Sequence, residues 1–182
     1  MLIKRPHGFT LIEMMIVVLI VAILTVIGLP SFSEWLQNSR TRSVAESVQN
    51  GIRFAQSESA RLSRLTNFIS TSSGWTVKVV PIAGSSSPID SRTTPLESSP
   101  AGNLDSVVIN AEHAVLQFND LGRVSYASSE TDTFTALGSD TSIAVSNSNS
   151  SATRKLQINV SPSGKVRMCD PDKSLATDPA GC

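Results

Sequence analysis

The feature that most constrains this chain is an apolar run reaching Leu29, set directly behind a short basic leader, Met1 to His7. An ordinary secretory signal places its apolar core ahead of the cleavage point and loses it. Here the small residue that offers a processing point, Gly8, precedes the core, in the order Gly8-Phe9-Thr10-Leu11-Ile12-Glu13. Cleavage after Gly8 keeps the hydrophobic segment on the mature chain and creates a new α-amine on Phe9. Thr10 to Leu29 supplies the roughly 20 mostly apolar residues that a helix needs to cross a hydrocarbon core. Lys4 and Arg5 on the short side predict that the N-terminus stays cytoplasmic and the remainder is exported.

Glu13 is the one acid in this span. A carboxylate near a bilayer centre costs about 2.5–3.5 kcal/mol, and less at shallower depth, so it requires a partner. No cation lies in the span itself, which leaves the α-amine of Phe9 on a neighbouring subunit, available only after cleavage. Gly8, Phe9, Thr10, Leu11, Ile12 and Glu13, with Lys4 and Arg5 ahead of them, resemble the leader of type IV pilins and type II secretion pseudopilins. That resemblance implies cutting between Gly8 and Phe9 by a prepilin peptidase, N-methylation of Phe9, and an assembly role for Glu13. Gly28 and Pro30 are expected to interrupt the helix, because proline removes a backbone donor and crowds the preceding turn. In a pilin the matching proline marks a bend or local unwinding.

Beyond Pro30 the pattern turns amphipathic. Val44, Val48, Ile52 and Ala55 recur at spacings of three and four, with Leu62 continuing the stripe, among Arg42, Glu46, Gln49, Arg53, Glu58 and Arg61. This periodicity predicts one helix face laid on a core, fading near Ser63 to Asn67, with Glu58 and Arg61 placed to pair. After Trp75 the runs become short and extended: Thr76–Val80, Val107–Ile109, Val115–Phe118, Arg123–Tyr126, Ser142–Val145, Lys155–Val160 and Lys165–Met168. Asn119–Gly122 and Ser161–Gly164 read as turns. Tight connections predict antiparallel pairing and an α+β fold. Pro81–Ser106 and Gly138–Thr153 are rich in small polar residues and read as exposed loops.

Glu58-Ser59-Ala60, Gly74-Trp75, Phe118 followed by Gly122, and Pro162-Ser163-Gly164-Lys165-Val166-Arg167-Met168-Cys169 resemble the FimT/FimU–GspH group of minor pilins and pseudopilins. The resemblance implies a type IV pilin-like architecture, a long N-terminal helix packed on an antiparallel β-sheet head. The expected organisation is a cleaved leader at 1–8, a transmembrane helix at 9–29, the amphipathic half of the long helix at 30–66, and a β-rich head at 67–182. Inner-membrane residence with a periplasmic head, followed by entry into a pilus or pseudopilus, is the expected localisation. Expected partners are prepilin peptidase and other major and minor pilins or pseudopilins.

Cys169 and Cys182 fall on the exported side, where an even count favours a disulfide. His113 is the histidine left after cleavage and no CxxC occurs, so no metal site is expected; His113 reads as an ordinary strand or turn residue. The 15 basic and 15 acidic residues balance, and removing Lys4 and Arg5 leaves 13 against 15. Such a chain has no global pull towards nucleic acid. In the FimT branch a Gly-Arg-x-Arg element is associated with extracellular DNA, and the matching positions here are Gly164-Lys165-Val166-Arg167. Lys165 and Arg167 are therefore candidate DNA contacts, with a solvated hairpin as the alternative. No nucleophile, metal cluster or phosphate loop is present, so neither an enzyme nor a cofactor is expected. The reading is a minor pilin supporting pilus assembly, with a GspH-type pseudopilin and a pilus DNA receptor as alternatives.

Overall fold

A computed structural model describes residues 8–72, 74–81, 97–100, 107–148 and 154–182. Helix α1 spans Leu11–Leu62, and the chain divides into two compact units at Leu36 and Gln37. The helical backbone continues through Gly28 and Pro30, so the expected interruption at these two residues is corrected. Proline deletes one donor and crowds one carbonyl, and neighbouring turns can absorb that defect without ending a helix. Among the described residues, no helix is long and apolar enough to cross a membrane. The described side chains of that segment end at Val26, whereas the span read from the sequence continues to Leu29.

α1 ends in a left-handed turn. Ser63 has φ of 49°, and the Arg64 N–H donates to the Ser59 carbonyl at 3.1 Å, closing the last turn in a Schellman arrangement. Between Gln37 and this end, Thr41, Val44, Ala45, Val48, Ile52, Ala55 and Ser59 are buried along one stripe. The four apolar positions read from the sequence are among them. The Glu58–Arg61 pair also forms, with the Arg61 Nε donating to Glu58 Oε1 at 2.9 Å. Arg61 is exposed while Glu58 flanks the stripe with its side chain 12% accessible, and the Glu58 hydrogen bond raises the Arg61 pKa above its ordinary value.

Among the described residues ten strands follow: β1 Thr66–Thr71, β2 Gly74–Val79, β3 Glu97–Pro100, β4 Val107–Ala111, β5 Val115–Phe118, β6 Val124–Ala127, β7 Thr135–Ala136, β8 Thr141–Asn147, β9 Leu156–Val160 and β10 Val166–Cys169. They form a six-stranded sheet in the order β3-β2-β1-β5-β6-β7 and a four-stranded sheet in the order β10-β9-β8-β4. Pairings between these strands are antiparallel, and an isolated parallel bridge joins Asp170 and Gly181. The apolar residues of the α1 stripe, Phe68, Val77, Leu116 and Phe118 of the first sheet, and Ile109, Ile143, Val145, Ile158 and Val160 of the second belong to one hydrophobic core. The α+β fold is as expected.

Four strand assignments differ from expectation. β1 begins at Thr66, within the Ser63–Asn67 stretch where the helix is expected to fade, and runs on to Thr71, ahead of the first expected strand. Its Thr66, Asn67 and Ser70 are buried polar residues, and they hide the alternation that marks a half-buried strand. β3 lies within the Ser-rich stretch expected to be loop, and its backbone pairs with β2. β8 contains the expected run Ser142–Val145 and extends it to Thr141–Asn147, within a stretch otherwise expected to be loop, alternating buried and half-buried positions. β7 is two residues long and carries no periodicity to detect.

One close approach seats the helix. A Cβ added to Gly51 would lie 2.7 Å from ring atoms of Trp75. That ring stacks on Phe68 with centroids 5.8 Å apart, and its Nε1 donates to Ser47 Oγ at 3.1 Å. Gly51→Ala gains about 1 kcal/mol in helix propensity but overpacks a ring fixed on two sides, at about 1–3 kcal/mol. The expected result is a lower denaturant midpoint with an unchanged slope, measured by tryptophan fluorescence; a raised midpoint contradicts the packing argument.

Candidate functional site

The junction expected to be cut, between Gly8 and Phe9, is open. Gly8 has empty space where a side chain would project, and Phe9 is 76% exposed. Thr10 and Glu13 then start α1 reciprocally. The Glu13 N–H donates to Thr10 Oγ1 at 3.2 Å, and the Thr10 N–H reaches Glu13 Oε2 at 3.5 Å. This is a capping box, which satisfies donors that the first helical turn leaves orphaned. The Thr10-x-x-Glu13 spacing is the sequence signal for it, so Glu13 has a local role that the sequence reading did not assign.

At the other end of α1, the motifs singled out in the sequence meet. The Gln56 amide nitrogen donates to the Gly164 carbonyl at 2.9 Å, and Ser59 Oγ donates to the Asn119 carbonyl at 3.0 Å. Gly122 and Gly164 both have positive φ, 76° and 82°, which turns of this shape demand. A Cβ on Gly164 would lie 2.2 Å from the Gln56 amide nitrogen and 2.4 Å from the Gly122 carbonyl oxygen. The Val124 N–H donates to the Pro162 carbonyl at 3.1 Å. Two residues of one helix face thus fasten a hairpin turn of each sheet. Ser59 lay within a quoted motif, whereas Gln56 was missed, because nothing local announces a partner 108 residues away.

The C-terminal segment is tied down by charge and by a disulfide. Cys169 and Cys182 are bonded, with Cα atoms 5.1 Å apart. The Arg167 guanidinium donates from Nη2 to the Pro179 carbonyl at 3.2 Å and the Gly181 carbonyl at 2.8 Å. Arg154 Nε donates to buried Asp170 at 2.9 Å, while the Arg154 N–H donates to Asn38 Oδ1 on α1 at 2.9 Å. Lys173 pairs with Asp178 at 2.5 Å and, as the leading cause, holds the Asp178 carboxyl below its ordinary pKa. A depressed folded pKa contributes stability above the unfolded value, near 3.9, and that contribution is lost as pH falls through the folded value.

Lys165 and Arg167 therefore differ in circumstance. Lys165 is exposed after the Gly164 turn; Arg167 is half-buried and holds two loop carbonyls. Asp140 precedes β8 at the same end of the second sheet as Lys165, since Thr141 and Val166 both pair with Val160. His113 stacks on Tyr126 with ring centroids 3.8 Å apart. Among the described residues no cluster of His, Cys, Asp and Glu is placed to hold a metal ion.

Comparison with known proteins assigns two segments of the chain. Residues 3–29 match the prokaryotic N-terminal methylation motif, and residues 44–164 match the model for the type II transport protein GspH. The chain belongs to the GspH family. No curated protein matches it in sequence. Its fold is similar to crystal structures of the type IV minor pilin FimU from Pseudomonas aeruginosa strain PAO1. In one crystal form the identity is 14% and the TM-score 0.54, over 76% of this chain and 95% of FimU. In a second form the values are 15% and 0.50, over 72% and 94%. With a methylation motif and a GspH domain on one chain, this is a minor pilin or pseudopilin.

Gly164→Ala forces a side chain into left-handed backbone, at about 1–2 kcal/mol, and onto the Gln56 amide. Thermal unfolding should show a loss of at least about 2 kcal/mol; a smaller loss than for Gly138→Ala, which opens into empty space, contradicts the junction. Arg167→Ala removes two hydrogen bonds from a charged donor and is expected to cost about 1–3 kcal/mol. Lys165→Ala should stay within about 0.5 kcal/mol of the parent. Equal effects in the same unfolding assay would show that Arg167 does not hold the loop.

Proposed function

We propose that this chain is a minor pilin of a type IV pilus. In this reading it is cut between Gly8 and Phe9 by prepilin peptidase, methylated on Phe9, and held by residues 9–29 in the inner membrane with its head in the periplasm. It then enters the filament through α1, beside other pilins, and supports assembly. The observation that carries the reading is the methylation motif at 3–29 on the same chain as a GspH domain whose fold is similar to that of FimU. The amine released at Phe9 satisfies Glu13 of a neighbouring subunit, which repays the cost of placing that carboxylate in a membrane.

The capping box sharpens that step. Before assembly, the Glu13 carboxylate has the Thr10 N–H and the positive end of α1 beside it. The neighbour's amine must compete with a bond at the long limit of hydrogen bonding, so transfer of Glu13 to the new partner costs little. A pseudopilin of a type II secretion system is the second reading, favoured by the family whose model matches residues 44–164. Lys165 and Arg167 stand as the DNA contacts of a third reading. Its support is narrowed to Lys165, because Arg167 holds the C-terminal loop.

Deleting the gene and scoring twitching, exoprotein release and DNA uptake separates these readings: loss of twitching supports the pilus, and loss of exoprotein release alone supports the secretion system. Glu13→Ala is expected to leave membrane insertion intact while lowering recovery in sheared filaments by at least about tenfold, since about 1.4 kcal/mol suffices for that factor. Undiminished incorporation would reject the amine–carboxylate pairing.

A further inference from the structure

The outer face of the six-stranded sheet is covered in an unusual way. Side chains directly opposite one another across antiparallel pairs share a face. The registers Lys78–Asn67, Asn67–Gln117 and Gln117–Ser125 therefore form one polar row across β2, β1, β5 and β6. Phe68, Val77, Leu116 and Phe118 on the opposite face belong to the hydrophobic core, whereas Asn67, Gln117 and the adjacent Val115 do not. Yet Asn67, Gln117 and Val115 are all buried, and the Gln117 amide nitrogen donates to Asn67 Oδ1 at 3.0 Å.

The connection from β6 to β7, residues 128–134, is bonded to the same face at Lys78. Glu130 accepts from Lys78 Nζ at 2.8 Å, although it stands only three residues after the end of β6. β6 and β2 are separated by β5 and β1, three strand spacings or about 14 Å. Three extended residues span at most about 11 Å. The long Lys78 side chain and that of Glu130 span the remainder, so the pair bridges from the end of β6 to β2 on the face that carries the polar row. The other hydrogen bonds of this segment are internal: Ser129 Oγ with Thr131 Oγ1, the Thr131 N–H to Ser129 Oγ, and the Asp132 N–H to the Ser129 carbonyl. Among the described residues, the Lys78–Glu130 ion pair is the polar bond that ties it to the sheet.

We infer that residues 128–134 are a strap latched over the Asn67–Gln117 row by the Lys78–Glu130 ion pair, and that ionic strength sets how often it opens. The pair is partly exposed, with side chains 34% and 40% accessible, so salt screens it. Glu112, on the turn before β5, is occupied by Thr141 and the Ser142 N–H and does not compete for Lys78. A segment fastened by one exposed pair opens locally at far lower cost than the head unfolds. Opening uncovers a row of amides and hydroxyls on a flat sheet face while leaving the core on the other face intact.

Limited digestion of the full chain in detergent micelles tests this, using a glutamyl endopeptidase and following the cut after Glu130 by mass spectrometry. Lys78→Gln leaves the cleavage site itself in place. Its cut at Glu130 should be faster than the parent's by up to about fivefold at low salt, the range an exposed ion pair supports. Raising the salt from about 0.01 M to about 1 M, which shortens the screening length from about 30 Å to about 3 Å, should bring the parent to the variant's rate. Lys78→Arg should keep the parent's behaviour. Equal parent and variant rates at every salt concentration overturn the latch, as does cleavage of Lys78→Gln spread across the head rather than confined to the strap.

Discussion

The head depends on one stripe of α1 being buried against two sheets at once. Val44, Val48, Ile52 and Ala55 supply the apolar contact, and each fully buried side chain of Val or Ile size contributes about 1.5–3 kcal/mol. The same stripe carries hydroxyls at its ends, Thr41 and Ser59, each donating to a backbone carbonyl. A helix with only apolar residues on this face would pack but would not set the register of the turns beyond it. Ser59 and its neighbour Gln56 provide that register, because each bonds a different hairpin turn. Close approach then becomes a matter of glycine: Gly51 admits the Trp75 ring, and Gly122 and Gly164 let two turns touch at the Gln56 amide.

Much of this was legible in the residues. The junction at Gly8 and Phe9, the stripe on α1, the turns at Asn119–Gly122 and Ser161–Gly164, and most strands follow from periodicity and turn chemistry. β1 escaped because Thr66 and Ser70 on its core face and Asn67 on its outer face are all buried, so a buried strand presents a polar sequence. The Ser-rich β3 is held by pairing to β2, a long-range contact that composition cannot express. Pro30 was weighted as a breaker on the local cost of one lost donor, which a 52-residue helix carries without ending.

The site residues show the same division. Cys169 and Cys182 could be paired from compartment and count, and they are bonded. The sequence groups Arg167 with Lys165, as a candidate DNA contact or as part of a solvated hairpin. The disulfide returns the chain beneath it, and the guanidinium is spent on the carbonyls of Pro179 and Gly181. Glu13 was read through its missing cation, while the Thr10-x-x-Glu13 capping box that occupies it within the chain was overlooked. These roles are compatible, since a cap made at the 3.5 Å limit leaves the carboxylate free to accept a stronger partner.

The account turns on the chain being a processed filament subunit that keeps its apolar segment. Intact-mass and N-terminal fragment analysis of the protein recovered from sheared surface filaments tests this most directly. The account predicts a mature chain that begins at N-methylated Phe9, retains residues 9–29, and carries the Cys169–Cys182 bond. Recovery of filament protein that still bears Met1 to Gly8, or of a mature chain that has lost residues 9–29, would contradict it.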